Sequence, residues 1–284
     1  MNNAAHGDAL HRQLASIDWL APWWEPWRNV GQRVAQRVLA GAPVHAALQA
    51  EASSTATPAA MRNAPTASPN ITFVAQSALP DGVAYEAFIY RTGSVPTRQN
   101  LHDFFNGLVW LVFPRTKRRL NFLQASEIHA SGVQTTRGPL RDALTLFDEN
   151  AAIWPLASAA PTELLDALRA KQWQHACVHL RAHWPGGAPI LLGHALLEKL
   201  VTPYKSITAH VFVTHTLADC AAPLQLHHTA LSALDAATAQ QLSAASLVPK
   251  PFIALPVLGV PHWWPANAEA GFYDDVQVFR PPKP

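Results

Sequence analysis

Several groups of residues in this sequence carry side chains that could do chemistry. The first is His102, Asp103 and Asn106, with Gly107 and Trp110, all inside the stretch Leu101–Phe113. At about 100° per residue these positions share one arc of a helix. His102 and Asn106 stand one turn apart, and Asp103 falls in the first turn, where the helix dipole favours an anion. The types suit acid–base or metal chemistry, with His102 as general base or ligand and Asp103 as ligand. They also suit an internal hydrogen-bond network that ties the helix start to a neighbour.

The second group is Arg141-Asp142 followed by Asp148-Glu149-Asn150, read as lying at the two ends of an apolar strand, 143–147. Carboxylates at a strand end offer the oxygen ligands that magnesium, calcium or manganese take, so Asp148 and Glu149 join Asp103 as candidate metal ligands. Asp and Asn are also ordinary turn residues. No Gly-x-x-x-x-Gly-Lys precedes this segment, so a nucleoside-triphosphate site lacks its phosphate cradle. The third group is Gly193-His194 with Glu198 one turn on, then Tyr204-Lys205-Ser206, His210 on a strand, and Leu226-His227-His228 in a loop. The fourth is Asp274-Asp275, which can cap another element or line a cleft, with capping the preferred reading. A short basic run, Thr116-Lys117-Arg118-Arg119, reads as a solvated face or a phosphate contact. From it, Lys117 is a candidate oxyanion or phosphate stabiliser together with Arg141.

The elements that must position these groups follow from periodicity. Residues 8–50 read as helices, with Leu10, Leu14 and Ile17 and then Val30, Val34 and Val38 on apolar faces, interrupted by Pro22 and Pro26. Residues 51–70 are rich in Ala, Pro and Thr and read as an exposed loop. Tyr85–Tyr90 reads as a strand ended by Thr92-Gly93. Asn100 is placed to cap a helix from Leu101 that stops at Pro114, and the basic run reads as a turn leading into a second helix. Ala152–Trp154 reads as a hairpin partner of strand 143–147, and Ser206–Thr214 alternates as a strand. Helices are expected at about 162–184, 190–201 and 232–245. The result is an α+β class: a mostly helical single domain with a small antiparallel sheet and an irregular, Pro-rich C-terminal tail. The expected organisation is 1–50 as Trp-containing helices packed on a main domain, 51–70 as the loop, and 71–284 as the main domain.

Composition bounds the function. The 284 residues are 49% hydrophobic, which excludes global disorder. The formal net charge of +2 does not point to nucleic acid or an anionic membrane. There are 2 cysteines and no Cys-x-x-Cys, so neither a disulfide scaffold nor a Cys-rich zinc module is expected. The start, MNNAAHGDALHRQL, lacks a basic region and an apolar core, and no apolar run reaches about 18 residues. A soluble, cytoplasmic protein is expected, with no membrane partner.

Longer motifs carry a resemblance. They are Val95-Pro-Thr-Arg-Gln-Asn-Leu-His-Asp-Phe-Phe-Asn106 with Trp110, Phe113-Pro114, Lys117 and Leu120-Asn121; Arg141–Asn150; Gly193-His194-Ala195-Leu196; Leu255–Pro261; and Phe272-Tyr-Asp-Asp275. With these motifs the chain resembles the bacterial family catalogued as domain of unknown function 3025. The resemblance implies a soluble bacterial protein and brings no activity or catalytic residues with it.

Two functional readings follow from the residues. In the first, His102, Asp103, Asn106, Lys117, Arg141 and His194 line the cleft of a divalent-metal-dependent hydrolase, with a phosphate ester or nucleotide-like small molecule as substrate. Asp103, Asp148 and Glu149 would hold the cation, the one cofactor these residues point to. In the second, the protein binds or scaffolds without chemistry, the His102/Asp103/Asn106 set is a structural network, and Trp19, Trp23, Trp24, Trp27, Trp263 and Trp264 supply contact surface.

Overall fold

A computed structural model describes residues 2–55, 71–131, 138–157, 162–184, 189–216, 228–248 and 251–282. The chain is α+β and mostly helical, as its periodicity implies. It forms two compact units, Met1–Trp19 with Trp27–Arg137, and Leu20–Pro26 with Gly138–Pro284. The division at Arg137/Gly138 falls inside the stretch 71–284 that the sequence reading takes as one domain. Most of the expected loop at 51–70 and the pair Leu226-His227 lie outside the described residues; residues 51–55 close a helix.

The first unit contains α1 (Asn2–Ala15), α2 (Arg28–Leu39), α3 (Val44–Thr55), β1 (Thr72–Ala75), α4 (Tyr85–Thr92), β2 (Ser94–Thr97), α5 (Leu101–Val112) and α6 (Pro114–Ser131). β1 and β2 pair in parallel, with Thr72 opposite Ser94. α5 is buried along almost its whole length, as a helix apolar around most of its circumference must be. Its Gly107 lets α3 come close, because a Cβ there would lie 2.2 Å from Leu48 Cδ1. Trp27 packs on Phe113 at 5.7 Å between ring centroids.

Two local expectations are corrected in this unit. Residues 85–90 form α4 and not a strand. Aromatic composition suggests β, but Phe88 and Ile89 supply a buried helical face. Gly93, at φ 68, ends the helix in the left-handed conformation that glycine adopts without cost. The basic run 115–119 is helical throughout: Pro114 opens α6, where its missing N–H is no loss.

The second unit contains α7 (Pro139–Asn150), β3 (Ala151–Ala157), α8 (Glu163–Arg169), a π-helical turn (His175–His179), β4 (Ile190–Leu191), α9 (His194–Lys199), β5 (Thr208–Thr216), α10 (His228–Gln241), α11 (Ala244–Leu247) and β6 (Ile253–Pro256). The expected strand 143–147 belongs to α7. Ala143, Leu144 and Phe147 are buried at helical spacing, and Pro139 sits at the helix start. The hairpin with 152–154 therefore does not form. Instead the sheet runs β4-β3-β5-β6, and β3 pairs with β5 in parallel, Ala151 opposite His210. The outer pairs are antiparallel, so the sheet is mixed. β3 is an almost continuous buried apolar run, the pattern of an interior strand.

The tail beyond β6 is irregular yet tied down. Asn267 Nδ2 donates to the Leu258 and Val260 carbonyls, Tyr273 Oη donates to the Gly259 carbonyl, and Trp173 Nε1 donates to the Arg280 carbonyl. No helix among the described residues is long and apolar enough to cross a membrane.

Candidate functional site

The polar arc of α5 begins with its cap. Asn100 is extended, and its side chain accepts from the Asp103 N–H at 2.8 Å, satisfying one of the orphan donors of the first turn. The Asp103 carboxylate turns back towards the exit of β2. Its Oδ2 accepts from the Arg98 main-chain N–H at 2.6 Å, and Arg98 Nη2 donates to Oδ1 at 2.9 Å. Arg98 Nε lies 3.2–3.3 Å from the two oxygens. Both carboxylate oxygens are therefore occupied, and the side chain is only 5% exposed. The hydrogen bonds to Asp103 raise the Arg98 guanidinium above its usual range, outweighing burial, which acts the other way.

One turn further along, Asn106 links three helices. Its Nδ2 donates to Tyr85 Oη on α4 at 3.1 Å, and its Oδ1 accepts from Lys117 Nζ on α6 at 2.9 Å. Lys117 is buried, with its ammonium 5.4 Å from the Trp110 ring centroid. The expected solvated face at 116–119 is thus corrected at Thr116 and Lys117, which turn inward. Asn121, one turn beyond Lys117, donates to the Glu86 carbonyl at 2.9 Å. His102 is half-buried on the same helix.

The second unit holds the remaining candidates. His194 is buried at the start of α9, and its Nδ1 lies 2.8 Å from the Asp148 carbonyl. A carbonyl only accepts, so Nδ1 carries the hydrogen and donates. The Asp148 carboxylate stands 3.7 Å from the same nitrogen. Gly193 permits this approach: a Cβ there would meet Asn150 N and the Glu149 carbonyl at 2.4 Å. The Leu192 and Gly193 N–H groups both donate to the Ala151 carbonyl. Arg141 and Glu149 are half-buried on α7. Asp275 accepts from Gln277 N at 3.1 Å, closing a local turn, and from Lys205 Nζ at 2.9 Å.

The structure thus brings Asn106 to Lys117 and His194 to Asp148. It gives Asp103 to Arg98, a partner that the sequence reading did not name. Of the expected metal ligands, Asp103 belongs to the first unit and Asp148 and Glu149 to the second. Among the described residues, no group of three or more His, Cys, Asp or Glu is arranged to hold a metal ion. Tyr85 and Arg98 are the functional-looking residues that sequence reasoning missed. Arg98 had a signal, a cation just ahead of the Asn100 cap and the first-turn Asp103. Trp23, Trp24 and Trp27 are buried, so these three are core and not contact surface. Trp23 packs on Trp263 at 6.3 Å.

A family model described as protein of unknown function (DUF3025) matches residues 71–283. No curated protein and no solved structure matches the chain.

Proposed function

Because the chain belongs to the DUF3025 family, whose description carries no activity, we propose a function from side-chain geometry: a non-catalytic binding or scaffolding protein in which the polar arc of α5 is a structural network. The observation that carries this reading is Asp103. A general base or metal ligand needs an oxygen turned towards its substrate or cation. Both Asp103 oxygens instead receive donors from Arg98. Asn106 is likewise spent joining α4 to α6 through Tyr85 and Lys117. The metal-dependent hydrolase reading has less support, because it asks Asp103 to serve as ligand. The proposal keeps the expected bacterial and cytoplasmic setting, with a protein or small-molecule partner and no nucleic acid.

Thermal and urea unfolding of Asp103→Ala and Asp103→Asn test it. A structural Asp103 predicts a loss of about 1–2 kcal/mol for Ala, since truncation leaves the Arg98 main-chain N–H without its acceptor and removes an ion pair whose guanidinium is 58% exposed, and a smaller loss for Asn. An Asp103→Asn protein that melts at or above the wild-type temperature would overturn the reading, because stability gained at a polar cluster is the mark of a site that traded stability for function.

A further inference from the structure

The outer face of α4 and α6 carries two exposed aromatic side chains. Tyr90 on α4 is 57% exposed and Phe122 on α6 is 40% exposed, among the few large apolar side chains so open in the described chain. They are not scattered: their rings meet at 5.8 Å, tilted by 56°. The Arg119 guanidinium lies over the Phe122 ring at 5.4 Å. Arg91 follows Tyr90 and is exposed. The charges on the two helices are mainly basic: Arg91 and Arg115 are exposed and Arg118 and Arg119 half-buried, against the half-buried Glu86 and Glu127.

The network beneath fixes this face. Glu86 lies one turn before Tyr90, and Asn121 adjoins Phe122. The bond from Asn121 to the Glu86 carbonyl therefore holds the two helices side by side, directly under the aromatic pair. The pair is thus presented on two helices joined by a part-buried hydrogen bond, which restrains their relative position before any partner arrives. Such preorganisation reduces the entropy lost on binding.

We infer that this face docks an acidic, amphipathic helix of a partner protein. Two helices packed side by side leave a groove that accepts a third helix by its apolar stripe. Aromatic residues and arginine are the types enriched where protein interfaces bind most strongly. Arg91, exposed next to Tyr90, and the excess of basic over acidic residues on the two helices select a partner whose apolar stripe is flanked by Glu or Asp. A single-stranded nucleic acid would also meet aromatic and basic groups, but a net charge of +2 gives it little beyond this one patch.

The inference rests on the binding reading above, and the two fail separately: that reading through the stability of Asp103→Asn, this one through a titration. The probe is a fluorescein-labelled helix of roughly 20 residues, long enough to be helical, made of Leu, Ala and Glu with leucines one turn apart. Its twin carries Lys for every Glu, and a labelled oligothymidylate of similar length is the third probe. The acidic helix is expected to bind, the basic twin at least about tenfold more weakly, and added salt to weaken the complex. Phe122→Ala and Tyr90→Ala should each cost about tenfold or more with the fold intact by circular dichroism, and Arg119→Glu a similar factor. Four results would each overturn the inference: no binding of the acidic helix, equal binding of its twin, affinity unchanged in Phe122→Ala and Tyr90→Ala, or tighter binding of the oligothymidylate.

Discussion

Asp103 and His194 are both buried polar side chains of the kind that enzymes use, and they are held by different forces. Asp103 is gripped by a charge, the Arg98 guanidinium, and by a main-chain N–H at the exit of β2. His194 gives its Nδ1 hydrogen to a main-chain carbonyl, and its place depends on the absence of a side chain at Gly193. The first arrangement is electrostatic and answers to charge. The second is steric and answers to volume. A titratable side chain in a buried place therefore has no single meaning; its partners decide whether it is set by charge or by shape.

The largest effect should come from the steric region. Gly193 has an ordinary backbone conformation, φ −59, so its conformational freedom is not the issue. A Cβ would fall 2.4 Å from Asn150 N and from the Glu149 carbonyl carbon and oxygen, which are backbone atoms of the α7–β3 junction. Backbone cannot rotate away as a side-chain tip can. Gly193→Ala is expected to cost about 3 kcal/mol or more, at or above the usual range for overpacking, with the loss read from urea unfolding followed by tryptophan fluorescence. A cost under about 1 kcal/mol would mean that the junction yields, and the comparison with Asp103 would lose its steric half.

The charged arrangement recurs within the first unit and gives the next effect. Glu51 on α3 is buried, and Arg33 Nη2 and Arg37 Nη1 on α2 donate to its two oxygens at 2.6 Å and 2.7 Å. Burial pushes the Glu51 carboxyl up, but the hydrogen bonds and charges of the two arginines outweigh it and hold it below the usual range. A carboxyl depressed on folding stabilises the protein fully above its unfolded value, about 4.3, and that stability is lost as pH falls through the lower folded value. Hydrogen exchange followed from pH 6 to pH 3 should show amides of α2 and α3 losing protection in that acid window. Glu51→Gln should be less stable at neutral pH and should lack the acid step. An acid step of unchanged size in Glu51→Gln would assign it to other carboxylates.

Much of the charged cluster was legible because its signals are local. An Asn cap, a first-turn Asp, polar positions on one arc and a Pro just past the end all lie within one helix, and α5 formed as read. The apolar majority of that helix implied a polar arc that is either hydrogen-bonded inside or open on a cleft, and Asp103 and Asn106 are buried and hydrogen-bonded. What was not legible needed distant information. Tyr85 stayed hidden because Tyr-Glu-Ala-Phe-Ile-Tyr has the composition of a strand. With a strand's period of two, Tyr85 and Glu86 would point to opposite faces, so the two would not both reach α5 and α6 as they do from one helix. Lys117 stood among the candidates, but its burial stayed hidden, because a run of cations reads as solvent-facing until the opposite wall is known. In the second unit, Ala143–Phe147 fits both alternation and helical spacing. The parallel pairing of β3 with β5 joins strands separated by β4 and two helices, a contact that no short window contains.

Cys177 offers the smallest effect, one on reactivity and not on stability, and it probes the steric side of the comparison. It lies in the π-helical turn of the second unit and is 1% exposed. Burial pushes its thiol up to about 12, against a modest pull in the other direction from Arg181. The thiolate is the reactive form, so at pH 8 the folded protein holds only on the order of one part in ten thousand of it. If packing keeps this unit closed, iodoacetamide should label Cys177 at least about a thousandfold more slowly in the native protein than in urea. The measurement is made in a Cys220→Ser background so that a single thiol reports. Labelling within about tenfold of the unfolded rate would mean that the turn opens often in the native state, since exchange through local opening follows its free energy. Shape would then hold His194 and Gly193 only at their own junction and would not close the unit around them.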